Sequence, residues 1–183
     1  ATRLLQQAGV PAGVLHLLPG YGTTGAALVR DPRVQGIAFT GSNAAAWAIQ
    51  KGLADRRAAI VPLIAETGGL NAMIADSSAL PEQVVRDVMR SAFDSAGQRC
   101  SAARMLFVHE DIAPRTLSML AGAIEELSLG DPMDYATDIG PVIDEQAQDT
   151  LDAHKLHLGR EAQLIADGGM PEDCRAGTYV SPA

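Results

Sequence analysis

The chain has 183 residues, with 14 Lys and Arg against 22 Asp and Glu, for a formal net charge of −8. The acidity is scattered and no block of Lys or Arg suits a phosphate backbone, which argues against a nucleic-acid partner. No apolar run approaches the ~20 residues of a membrane helix, no charged-then-apolar leader opens the chain, and two cysteines are too few for a disulfide framework, so a reducing, cytoplasmic setting fits.

In chain order, residues 2–8 read as the end of a helix closed by Gly9 and Pro11, followed by a short buried strand at Val14-Leu15-His16-Leu17-Leu18. Pro19-Gly20-Tyr21-Gly22-Thr23-Thr24-Gly25 turns the chain into a second helix ending near Asp31-Pro32. A strand at 36–40 runs into Gly41-Ser42-Asn43 and a helix over about 44–54, and a further strand is expected at 59–64, with Pro62 marking an edge or an irregular end. Strand, glycine turn, helix, strand is the grammar of a parallel α/β sheet. The chain changes character at Glu66. Beyond it the pattern predicts a strand at 72–75, a helix at 81–96, a loop carrying Cys100, a strand at 104–108, helices at 113–128 and 144–158, a strand at 162–166 and a strand start at 178–180. No repeat or low-complexity linker interrupts this order.

Two stretches carry chemistry. Glu66-Thr67-Gly68-Gly69 sets a carboxylate beside two glycines, and Gly97-Gln98-Arg99-Cys100-Ser101 sets a thiol in a short polar loop. One can act as a base and the other as a nucleophile, the parts a covalent thiol mechanism needs. Each has a plainer reading: Cys100 as a small buried hydrophobe, Glu66 as an ion-pair partner at a strand end, and Arg99 as a solvated surface charge. Thr40-Gly41-Ser42 closes a strand and opens a helix, where free backbone N–H groups favour a phosphate, although such a turn is also an ordinary helix cap. Cys174 sits in a loop and reads as incidental. His154 and His157 stand three apart without a third donor, so no metal site is expected.

These motifs, together with Asp76-Ser77-Ser78-Ala79-Leu80-Pro81-Glu82-Gln83 and Ser91-Ala92-Phe93-Asp94-Ser95-Ala96, resemble the aldehyde dehydrogenase superfamily. Within it the wording is similar to the glutamate-semialdehyde (pyrroline-5-carboxylate) dehydrogenase domain of the bacterial proline utilisation A group. The resemblance implies an α/β, aldehyde dehydrogenase-like fold in which part of a Rossmann-type NAD-binding sheet (residues 1–68) precedes part of the catalytic thiol domain (residues 69–183). It implies NAD as cofactor, held by Gly41 and Ser42 at the pyrophosphate, by Ala45 near the adenine, and by Gly20, Gly22 and Gly68. It implies Cys100 as nucleophile, with its own backbone N–H helping to hold the oxyanion, and a partly buried Glu66 as the base that activates water.

Arg99 and Ser101 flank the nucleophile and are expected to face a small aldehyde that bears its own carboxylate. Thr67 supports this branch, and Glu66 argues against a coenzyme A-acylating relative. Ala46 stands where many members carry a second glycine, and Leu70 replaces a usual polar residue. The family unit is more than twice this length, and the chain opens on Ala1 without an initiator Met, so it reads as an excised fragment. On that reading it is inactive or nearly so by itself and prone to associate, while the parent is homo-oligomeric and open to fusion with a proline dehydrogenase domain. A dehydrogenase for another aldehyde, and a purely structural piece, are the alternatives.

Overall fold

The structure is a computed structural model and describes residues 1–183. The chain divides into two compact units, Ala1–Gly68 and Gly69–Ala183.

The first unit holds α1 (Thr2–Gln7), α2 (Gly22–Arg30), β1 (Ile37–Gly41), α3 (Asn43–Asp55) and β2 (Leu63–Thr67). β1 and β2 form a two-stranded parallel ladder running from Ile37 opposite Leu63 to Gly41 opposite Thr67. α3 makes the crossover, as a parallel pair requires. Val29 of α2 is buried, and a β-carbon at Gly52 of α3 would come within 3.0 Å of it, so a small residue there lets the two helices approach. Arg56 ties off the segment after α2, donating to the carbonyl oxygens of Asp31 at 3.0 Å and Val34 at 3.1 Å.

The second unit is built on β3 (Asn71–Ala75), α4 (Pro81–Phe93), β4 (Ala103–Val108), α5 (Ala113–Glu125) and α6 (Glu145–Glu161), with β3 and β4 parallel. α4 starts at a proline in its first turn, with Glu82 at its N-terminal and Arg90 at its C-terminal end, the arrangement the helix dipole favours. Its residues Pro81, Val85 and Val88 share one face and are buried. A small core of Leu129, Ile139 and Cys174 gathers Phe93, Ala96, Leu127, Met170 and Tyr179 around it. Cys174 therefore belongs to the core on a short 3₁₀ turn, and is more than an incidental loop residue.

Alternation along the second ladder leaves one sheet face bare. Ala72 pairs with Met105 and Ile74 with Phe107, and Ile74 is 79% exposed. Each of the two sheets also keeps unpaired strand edges, because each has only two strands.

Several expected strands are absent. Residues 14–18 begin in a turn, with Val14 N–H donating to Pro11 O, and continue without a ladder partner, Leu17 and Leu18 being exposed. Residues 162–166 and 178–180 likewise join no sheet, although Val142 N–H donates to Thr178 O at 2.8 Å. Apolar runs make strands only where a neighbour accepts the backbone bonds. The strand expected at 59–64 begins instead at Leu63 and runs on through Glu66 to Thr67. Pro62 lacks an N–H and only accepts, from Ile37 N–H at 3.0 Å.

Candidate active site

In the first unit the candidate residues collect at the carboxyl ends of the two strands. Thr40 lies opposite Glu66 and Gly41 opposite Thr67, so the glycine turn and the carboxylate leave the ladder side by side. Ligands of open parallel sheets bind at this end. Ser42 is the N-cap of α3, its Oγ accepting from Ala45 N–H at 3.2 Å. That cap uses the N–H of Ala45, and Ala46 N–H goes to Ser42 O, which leaves the N–H groups of Asn43 and Ala44 free of protein partners. A β-carbon at Gly41 would stand 2.5 Å from the tip of the Phe39 ring, so any side chain there would have to displace it. Gly22 opens α2 and Gly20 lies two residues earlier against Thr24, both belonging to a different turn from Gly41. Gly68 faces open space. Glu66 is exposed in this chain, where partial burial was expected.

In the second unit the thiol approach is built under strain. Ser95, Ala96 and Gly97 have φ of +59°, +52° and +66°, three consecutive residues in the left-handed region. Such a conformation costs roughly 1–2 kcal/mol for each non-glycine residue. A β-carbon at Gly97 would sit 2.8 Å from Ala92 O, so this position excludes one on space as well as on backbone angle. Packing of Phe93 and Ala96 on the Leu129 core offsets part of the cost.

The loop is then pinned at several points. Arg104 Nη2 donates to Gly97 O at 2.6 Å, and Gln98 Oε1 accepts from Ile143 N–H at 2.8 Å. Ala102 N–H donates to Arg99 O at 3.1 Å, closing a turn with Cys100 and Ser101 at its tip. Asn71 Nδ2 donates to Cys100 O at 2.6 Å and to Ala102 O at 3.0 Å. Cys100 and Ser101 are exposed, and neither backbone N–H has a protein partner. The guanidinium of Arg99 turns back to the end of α4, donating to Arg90 O at 2.7 Å with Asp94 at 4.0 Å. Its charge is thus placed on the negative end of a helix dipole.

Sequence reasoning passed over Asn71 and Arg104. The signal for Asn71 was its place at the head of a strand, where Asn is disfavoured unless its amide has work to do. Arg104 is re-aimed by an irregularity in the ladder: Asn71 faces Ala103, but Ala72 already faces Met105. Such bulges turn a side chain out of its regular alternation. No three His, Cys, Asp or Glu side chains are grouped to hold a metal ion.

The aldehyde dehydrogenase family model matches residues 1–183. The bifunctional protein PutA of Klebsiella aerogenes is 50% identical over 98% of this chain and 14% of its own length. The 1-pyrroline-5-carboxylate dehydrogenase of Geobacillus kaustophilus is 34% identical over 98% of this chain and 35% of its own. A crystal structure of proline utilization A (PutA) from Bradyrhizobium japonicum superposes with a TM-score of 0.92 at 53% identity, covering 98% of this chain and 18% of that one. The chain therefore spans about one seventh of the PutA relative it matches in Klebsiella aerogenes. Its mixed α/β architecture is that of aldehyde dehydrogenases, and the chain belongs to the aldehyde dehydrogenase family.

Proposed function

We propose that the whole protein carrying this chain oxidises L-glutamate γ-semialdehyde to glutamate with NAD, as the dehydrogenase step of proline catabolism. The carrying observation is Cys100, an exposed thiol at the tip of a strained and pinned turn whose own N–H is free. The Cys100 thiolate adds to the aldehyde carbon, forming a C–S bond, and the oxygen that becomes negative is met by the Cys100 N–H. NAD, when bound, accepts the hydride that this carbon loses. The product on Cys100 is a thioester. Glu66 takes a proton from water, the hydroxide adds to the acyl carbon, and the C–S bond breaks to return the thiolate and release the acid.

The residues present fit a dinucleotide. Asn43 and Ala44 offer two free N–H groups at the start of a 13-residue helix, beside a glycine that keeps a side chain away. In this reading Gly41 and Ser42 hold phosphate, while Ala45, Gly20, Gly22 and Gly68 border the cofactor. Ser101 faces substrate. Arg99, expected from its place beside Cys100 to face the substrate, is held on Arg90 O at the end of α4 at 2.7 Å and in this reading acts on the turn. The word bifunctional attached to the PutA relative supports a second, proline dehydrogenase activity in the same polypeptide. Oligomerisation of that polypeptide and its residence in the cytoplasm belong to the same proposal. The 183-residue chain by itself, about one seventh of the length of the PutA relative, is proposed to be inactive or nearly so, and its bare sheet face and open strand edges support its being prone to associate.

The test is semialdehyde-dependent NADH formation by the whole protein. Cys100→Ser should lose about 10³-fold or more in kcat. Glu66→Gln should keep a first-turnover burst of NADH and lose the steady rate, because the thioester then waits for water. Wild-type turnover by Cys100→Ser would overturn the reading.

A further inference from the structure

We propose that Asn71 is a positioning residue for the nucleophile, one that aims the Ser101 N–H by holding the Cys100 carbonyl from behind and fixes the thiol turn at Ala102 O. The proposal rests on the reading of Cys100 as nucleophile. Asn71 spends both of its amide protons on this turn, one on Cys100 O at 2.6 Å and one on Ala102 O at 3.0 Å. A carboxamide has only two such protons, so it has none left for another task.

The geometry follows from peptide planarity. In a trans peptide the C=O and the next N–H point in opposite directions. Drawing the Cys100 carbonyl towards Asn71 therefore sends the Ser101 N–H away from it. The Arg99 carbonyl is drawn inwards by Ala102 N–H at 3.1 Å, which sends the Cys100 N–H outwards by the same logic. Both N–H groups are without protein partners. They are the donors a developing oxyanion beside Cys100 can use, and fixed donors stabilise such charge better than mobile ones.

The ladder is shaped for this purpose. Asn71 is the first residue of β3 and pairs with Ala103, directly after the turn. The irregularity that follows frees Arg104 to hold Gly97 O on the other side of the cysteine. Arg104 of β4 thus grips the loop before Cys100, and Asn71 of β3 grips the turn at and after it. The expected loss is modest in stability and larger in chemistry, because the two bonds fix orientation rather than burial.

The first experiment uses the unmutated whole protein, with Asn43, which is exposed, as the reference for Asn71. Hydrogen exchange of the two side-chain amides, read by nuclear magnetic resonance, should be at least about tenfold slower at Asn71. Equal rates would overturn the anchoring whether or not any variant folds. The second uses the whole protein. Asn71→Ala should lower kcat and kcat/KM together by about ten- to a hundredfold with KM for NAD unchanged, and Asn71→Ser, which keeps one donor, should recover part of the loss. Unchanged kcat in Asn71→Ala, beside a dead Cys100→Ser, would sink the positioning role alone. An active Cys100→Ser would sink the catalytic reading, with amide exchange still deciding the anchor.

Discussion

Gly97→Ala is the substitution that most directly probes how the thiol turn is made. The residue has φ +66°, and an added β-carbon would stand 2.8 Å from Ala92 O and 3.2 Å from Arg104 Nη1. The first obstacle is backbone of the end of α4 and cannot swing away. The second is the guanidinium that holds Gly97 O, so moving it sacrifices a bond. A left-handed alanine costs about 1–2 kcal/mol before the clash is counted. Against this, alanine restricts the unfolded chain and returns about 0.4–1 kcal/mol. Strain and clash win, and the net loss should be about 1–3 kcal/mol. For a chain of this length that lowers Tm by roughly 2–4 °C per kcal/mol. The single tryptophan, Trp47, lies in the first unit, so its fluorescence would miss the event. Urea-dependent hydrogen exchange of the peptide spanning residues 90–104 is the appropriate assay. Ser95→Gly is the mirror test: it removes a β-carbon from a left-handed residue and should be neutral or stabilising. Equal midpoints for native and Gly97→Ala chains, or a destabilised Ser95→Gly, would refute the strained-turn account.

Two further expectations concern the body of each unit. The bidentate Arg33 side chain, with the Arg33 backbone N–H, holds the Asp31 carboxyl down at about 2. A depressed carboxylate stabilises the fold above its unfolded value of about 4, and that contribution fades as pH falls towards 2. The stability gap between native and Asp31→Asn chains, followed by Trp47 fluorescence, should therefore close across that window, and a gap constant with pH would disprove the assignment. Thr116 on α5 is fully buried with no partner for its hydroxyl. Thr116→Val, of like shape and without the orphan group, should stabilise by about 1 kcal/mol in thermal unfolding, and a loss of stability would mean that the hydroxyl is satisfied.

What the sequence made legible followed from local physics. Ser42 before an alanine-rich run announced the start of α3 because a serine oxygen caps free N–H groups. Pro81 and the spacing of Val85 and Val88 announced α4. Cys100 stood out because its neighbours are polar, and it is indeed exposed. What stayed hidden was set at a distance. The apolar run at Val14–Leu18 reads like a buried strand but finds no ladder partner. β2 is displaced towards Glu66 because its register is dictated by β1, which no local pattern within 59–64 reveals. Asn71 grips carbonyl groups 29 and 31 residues further on, a relation that appears only once β3 and β4 lie side by side.

The burial of Cys174 gives the molecule an internal clock. Cys100 meets reagent at once, whereas Cys174, 4% exposed among Leu129 and Ile139, meets it only when that core opens. With reclosing fast relative to alkylation, the Cys174 labelling rate divided by its rate in the unfolded chain is a measure of the opening equilibrium, each factor of ten corresponding to about 1.4 kcal/mol. A ligand or substitution that steadies the second unit will slow Cys174 while leaving Cys100 free to report on its own chemistry. One alkylation series can thus follow the folding of this unit and the state of its nucleophile in the same sample.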